Sequence, residues 1–292
     1  MRRFTLIVIL CIPLLSVAQQ KGHIKAGALN IYYQSTGTGN PLLLLHAGFQ
    51  DMRMWEQQVS YFSPNWRVIT IDLPGHGNSK GTDTVTLIAD ILRIVMDSLQ
   101  LQQASVAGLS LGAACALDLA LAYPQRVNKL VLCSPGLSGW PDVMKMDTLS
   151  QQLFQHTDSI MSSNNDKAIA ENFTRLWYDG PFRKPDEVDV NGRNYILYTT
   201  LKTIQQSKHT WPWPVFDKQG AAKRLDSLAI PVLIVAGSLD VPFILDAARY
   251  IHQQVTTSML QILSNVAHMI NMEKPDDFNV RLSNFLETQQ PL

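Results

Sequence analysis

Short runs of unbroken apolar residues alternate along this chain with longer stretches in which apolar positions recur every three or four residues. Leu42 to Leu45, Val68 to Ile71, Ala104 to Ala107, Lys129 to Cys133, Pro231 to Ala236 and Met259 to Leu263 are of the first kind. Runs this short, with little or no polar face, predict strands covered on both sides. Met52 to Phe62, Leu87 to Leu99, Gly112 to Ala122, Ile244 to Gln254 and Pro275 to Leu286 have helical spacing. Ahead of them, His23 to Ala28 and Leu29 to Ser35 read as a strand pair closed by the turn residues Gly37 to Pro41. Strand and helix in alternation predict an α/β fold: a mostly parallel, twisted sheet with helices on both faces.

The alternation breaks between residues 136 and 228, where polar, aromatic and helical residues replace apolar runs. This stretch is expected to be an inserted helical cap, dividing the core into a first part over 19–135 and a second over 229–292. Residues 1–18 have the form of an export signal: Arg2 and Arg3, the apolar stretch Phe4 to Leu15, then the small residues Ser16 and Ala18 flanking Val17. The apolar stretch is shorter than the ~20 residues that span a bilayer and contains Pro13. The expectation is therefore cleavage and export, to the periplasm or beyond, with no stable membrane span left behind.

Charge narrows the choice of partner. Lys and Arg total 24, Asp and Glu total 24, and no basic run interrupts the sequence, which argues against a nucleic acid or an anionic membrane as partner. A small-molecule substrate, an apolar acyl compound or ester, fits better. Of three cysteines, Cys11 lies in the export segment; Cys115 and Cys133 sit in apolar segments and read as buried thiols, with their pairing left open. No His, Cys, Asp and Glu cluster has metal-ligand spacing, and neither a G-x-G-x-x-G fingerprint nor a phosphate loop with Lys occurs. Neither metal nor cofactor is expected.

The chemistry centres on Gly108-Leu109-Ser110-Leu111-Gly112, a G-x-S-x-G string between a predicted strand and an alanine-rich helix. A serine on such a turn needs a strained backbone and neighbours without bulk, which Gly108 and Gly112 provide. Its hydroxyl is a weak nucleophile and needs an oriented base. His268 follows the last strand and so opens at the same sheet edge, whereas His156 and His209 lie in the expected cap, His252 in a helix and His23 in the first strand pair. Asp240 ends the strand between nucleophile and base, giving the order Ser, Asp, His, each at a strand end.

With these residues the chain resembles the α/β-hydrolase superfamily over nearly all of its predicted mature length. The resemblance implies that His46-Ala47-Gly48-Phe49 corresponds to the family's His-Gly loop. One oxyanion N–H would then come from Gly48 and the other from Leu111. Ala47 stands where a glycine is common, so the register stays open between Gly48 and Phe49. Asp72-Leu73-Pro74-Gly75-His76-Gly77-Asn78-Ser79 resembles the family's Asp-x-x-Gly-x-Gly-x-Ser turn, in which His76 is expected to brace the loop. Phe49, beside the oxyanion loop, and Trp140 and Trp177, among the cap aromatics, are the expected substrate contacts. Serine at the elbow argues against the family members that use aspartate there. The implied function is hydrolysis of a small carboxylic ester, thioester or lactone through an acyl-enzyme on Ser110. Perhydrolase or haloperoxidase chemistry and carbon–carbon bond hydrolysis use the same three residues; a non-enzymatic binding protein on this fold is the alternative from another class.

Overall fold

The computed structural model describes residues 19–207 and 213–288. The expected export segment lies outside the described residues, as do His209 and Trp211 of the expected cap. Eight strands form one sheet: β1 (Gln19–Ala26), β2 (Leu29–Thr36), β3 (Asn40–Leu45), β4 (Trp66–Ile71), β5 (Ala104–Leu109), β6 (Val127–Cys133), β7 (Val232–Gly237) and β8 (Ser258–Leu263). Their order is β1-β2-β4-β3-β5-β6-β7-β8. β2 is antiparallel to β1 and β4, and every other pairing is parallel.

The apolar runs become strands because both faces are covered, and alternate residues of one run serve different layers. Leu43 and Leu45 of β3 join Val106, Leu132 and Ile234 in a core against α2 (Ile88–Ser98), α3 (Leu111–Ala122) and α7 (Pro242–Gln254). Leu42 and Leu44 join Val68, Ala107, Val131 and Val235 in a second core, against α1 (Glu56–Phe62) and α9 (Pro275–Glu287). A slip of one residue in β3 would exchange the two sets.

Between β6 and β7 the described residues form no strand. They form α4 (Thr148–Met161), α5 (Asp166–Thr174) and α6 (Val190–Ser207), with a π-helical turn over Arg175–Asp179. Two stretches at or next to the start of expected helices carry helical turns of their own. Met52–Trp55 is a tighter 3-10 turn ahead of α1, drawn in because the Met52 N–H donates to Asp72 Oδ1 (2.9 Å) and the Arg53 N–H to Asp51 Oδ1 (3.0 Å). The stretch between His268 and the expected last helix contains a further short helix, α8 (Ile270–Glu273), which ends before Pro275.

β3 has β4 on one side and β5 on the other, so the chain reverses direction across the sheet at this point. In open α/β sheets ligands bind in the crevice at such a reversal, beyond the carboxyl ends of the strands. The segment after β3 carries Gly48, and the segment after β5 carries Ser110.

Candidate active site

Ser110 occupies the turn between β5 and α3 with φ 56° and ψ −111°, a left-handed conformation strained for any residue with a side chain. The surrounding structure over-determines it: the Ser110 N–H donates to Cys133 O (2.9 Å), and its carbonyl accepts from the Ala114 and Gly136 N–H groups (3.1 Å each). The flanking glycines are required by contact. A Cβ on Gly108 would lie 2.2 Å from Gly112 O, and one on Gly112 would lie 2.2 Å from Leu45 O, at the end of β3.

His268 is buried, and its Nδ1 lies 2.8 Å from Asp240 Oδ2 and 3.1 Å from Oδ1. A carboxylate can only accept, so Nδ1 carries a proton, and in the neutral ring the lone pair is on Nε2. Asp240 Oδ1 also takes the Val241 N–H (2.8 Å). The two loops are laced together: the Leu239 N–H donates to Val266 O (2.9 Å) and the Asn265 N–H to Ser238 Oγ (3.0 Å).

Three successive N–H groups follow His46, and their partners separate them. The Ala47 N–H points at Met54 Sδ (3.3 Å), and the Phe49 N–H donates to His76 Nε2 (3.1 Å). The Gly48 N–H has no acceptor among the described residues, and neither has that of Leu111, the first residue of α3. Of the two N–H groups between which sequence left the register open, that of Phe49 is bound to His76 and that of Gly48 is the uncommitted one among the described residues. Phe49 itself sits at φ 59°.

Two neutral histidines support this loop. Burial pushes His46 down to about 4 and His76 down to about 3. His46 Nδ1 donates to Ala47 O (2.7 Å) and its Nε2 accepts from the Leu73 N–H (2.9 Å). His76 Nδ1 donates to Pro74 O (2.9 Å). Asp72 closes the neighbouring turn by taking the Asn78 N–H on Oδ2 (2.7 Å), and burial raises its carboxyl to about 6.

Ser110, Leu111, Gly48 and His268 border one cavity of about 370 Å³ together with Phe49, Trp140 and Trp177; Asp240 lies behind His268. The Trp177 ring packs against His268 with centroids 4.4 Å apart, Phe49 against Trp213 at 5.4 Å, and Trp140 against Phe243 at 4.5 Å. Trp177 is delivered by the π-helical turn. That turn is fixed through buried Asp179, which binds Arg175 and Arg193 at 3.0 Å each. At its end Gly180, with φ 78°, lets the segment approach the acid and histidine loops: a Cβ there would meet Leu239 O and Ala267 Cβ at 2.8 Å.

Sequence reasoning missed several participants. Phe243, at the start of α7, and Thr157 and Asn172, on the helices after β6, also border the cavity; their only signal was proximity in sequence to Asp240 or to cap aromatics. Glu273 was missed as well. Its Oε1 takes the Ala267 N–H (2.9 Å) and its Oε2 takes Arg183 Nη1 (2.6 Å), while Arg183 also donates to the carbonyls of Tyr178 and Asp179. The loop bearing His268 is thereby tied to the turn bearing Trp177. Cys115 and Cys133 are both buried and unpaired. Among the described residues no His, Cys, Asp and Glu group could hold a metal ion, and no helix is long and apolar enough to cross a membrane.

A strained serine on a strand-to-helix turn, bordering one cavity with a buried histidine bonded to a carboxylate, at the reversal point of a mostly parallel sheet, is the arrangement of an α/β hydrolase. The family model for the alpha/beta hydrolase fold matches residues 40–275, and the chain belongs to that family and is an enzyme. It is similar to the pimeloyl-[acyl-carrier protein] methyl ester esterase of Pectobacterium carotovorum, at 26% identity over 88% of this chain and 98% of that one. It is also similar to the 2-hydroxy-6-oxononadienedioate/2-hydroxy-6-oxononatrienedioate hydrolase of Burkholderia vietnamiensis, at 27% identity over 88% and 91%. Among solved structures, the naproxen esterase of Bacillus subtilis matches with a TM-score of 0.73 over 93% of both chains at 18% identity, a likeness of fold.

Proposed function

We propose that this hydrolase cleaves a small, neutral carboxylic ester or lactone through an acyl-enzyme on Ser110. The observation that carries the reading is a buried His268, backed by Asp240, bordering the same cavity as Ser110 and two N–H groups without acceptors among the described residues. His268 Nε2, with its lone pair fixed by the bond at Nδ1, takes the Ser110 proton as the hydroxyl attacks the carbonyl. The Gly48 and Leu111 N–H groups receive the oxygen as it becomes negative, an interaction realised only as charge develops. His268 then passes the proton to the leaving alcohol, and water, deprotonated by the same ring, releases the acid. Asp240 stays ionised and stabilises the imidazolium.

Apolar lining sets the substrate class. The cavity walls are aromatic and aliphatic, and no arginine or lysine borders it among the described residues, so a dianionic substrate such as that in the Burkholderia relative's name would have no countercharge there. The test is a panel of esters, thioesters, lactones and dicarboxylates run on wild type and Ser110→Ala. Turnover of neutral esters that disappears in the variant supports the reading; equal turnover by the variant overturns it. Export remains part of the proposal, and the mature amino terminus of secreted protein, expected near Gln19, tests it.

A further inference from the structure

The polar side chains that border the cavity, apart from Ser110, His268 and the indoles, differ in what else they bond. Ser138 is committed: its hydroxyl donates to Asp118 Oδ1 (3.1 Å) and accepts from the Ala221 N–H (2.8 Å). Thr157, on α4, is committed too, donating to Leu153 O (2.9 Å) and accepting from Asn172 Nδ2 (3.0 Å). Because the Thr157 proton lies on a carbonyl, its oxygen can only accept, and this decides which end of the Asn172 amide faces it.

Asn172, on α5, is left with one N–H and its Oδ1 without partners among the described residues. The same cavity is bordered by the apolar side chains of Met161, Ile169, Phe173 and Trp177. Water can satisfy such an amide in an empty cavity. A purely hydrocarbon chain that displaced the water would strand it, and a stranded donor or acceptor is costly. The tryptophans that border the cavity add donors and no acceptor, so Asn172 is the side chain there able both to give and to take a hydrogen bond.

We infer that Asn172, oriented by Thr157, is a specificity residue that reads a hydroxyl group carried by the substrate away from its scissile ester. A hydroxyl accepts from the remaining Nδ2–H and donates to Oδ1, matching both unused groups at once. A carboxylate at that place offers no donor to Oδ1 and would meet no cation. The inference rests on the Ser110 reading and narrows its substrates to hydroxylated esters.

The test uses aryl esters in which a hydroxyl is moved along the acyl chain one carbon at a time, each paired with an analogue carrying a methyl group in its place. At one position wild type should favour the hydroxy ester by roughly 3- to 10-fold in kcat/KM, the span of a single net hydrogen bond, chiefly through KM. Asn172→Leu should abolish or invert that preference, and Thr157→Val should weaken it by freeing the amide to rotate. Absence of a preference at every position in wild type overturns the inference, and so does an unchanged preference in Asn172→Leu. If that variant fails to fold, the wild-type series and Thr157→Val decide. Labelling of Ser110 by a fluorophosphonate, run beside the series, separates the two claims. Unlabelled wild type sinks the Ser110 reading and this subsite with it; labelled wild type without a hydroxyl preference sinks the subsite alone.

Discussion

Replacing His76 by Phe isolates what holds the oxyanion loop. The ring is nearly the same size and its site is buried, so packing against His46 (5.1 Å between centroids) is largely kept. Two hydrogen bonds are not: the Phe49 N–H loses its acceptor and Pro74 O loses its donor. A buried backbone group left unpaired costs on the order of 1–3 kcal/mol, so the pair should cost roughly 2–6 kcal/mol. For a chain of this size that is about 5–15 °C in melting temperature. Kinetically, a loosened Phe49 frees Gly48 to move away from the developing oxyanion. The expected result with an aryl ester is a kcat lower by roughly 10- to 100-fold at nearly constant KM, since full loss of such a donor costs on the order of 100-fold or more.

The same substitution carries a pH signature. Unfolded imidazoles take up protons near 6.5, but folded His46 and His76 resist down to about 4 and about 3. Each therefore contributes stability that is complete above pH 6.5 and is lost as pH falls towards those values, at about 1.4 kcal/mol per pH unit. Asp72 works in the opposite sense: its carboxyl at about 6 takes up a proton in the folded state before the unfolded one does, which offsets one of the two losses between pH 6 and 4. The stability read from urea midpoints should start lower in His76→Phe than in wild type and fall less steeply across this window, the two slopes differing by about one proton's worth per pH unit. A folded His76→Phe protein with wild-type kcat and a wild-type slope would refute the reasoning.

Asp240→Asn should lower kcat/KM by roughly 10³- to 10⁴-fold, because an amide at this position cannot stabilise the imidazolium or impose its tautomer; steady-state kinetics on folded protein checks it. Arg183→Met leaves the half-buried Glu273 without its cation, which should cost on the order of 1–3 kcal/mol and lower the urea midpoint. Gly112→Ala drives a methyl group into Leu45 O; soluble expression should fall sharply and circular dichroism of any recovered protein should show a disturbed fold.

The sheet was legible because its strands are buried on both faces, so that each appears as an unbroken apolar run between helices of a different period. The three candidate site residues could be named from sequence for a related reason: strand ends converge in this topology, and Ser110, Asp240 and His268 each follow one. What sequence could not supply was pairwise geometry. Whether Gly48 or Phe49 offers its N–H depends on His76, 27 residues from Phe49. The π-helical turn that brings Trp177 onto His268 has no sequence period of its own and depends on Asp179 pairing with Arg193. Nothing in the sequence around Glu273 signals its contacts with Ala267 and Arg183, residues 6 and 90 positions away.

The most direct test of the central claim is covalent. Folded wild-type protein is treated with a fluorophosphonate probe, and the site and rate of labelling are read by mass spectrometry for wild type, Ser110→Ala and His268→Ala. The account predicts one adduct per chain on Ser110, none in Ser110→Ala, and a rate in His268→Ala slower by orders of magnitude. An adduct on another serine, or a His268→Ala protein that labels at the wild-type rate, would contradict it.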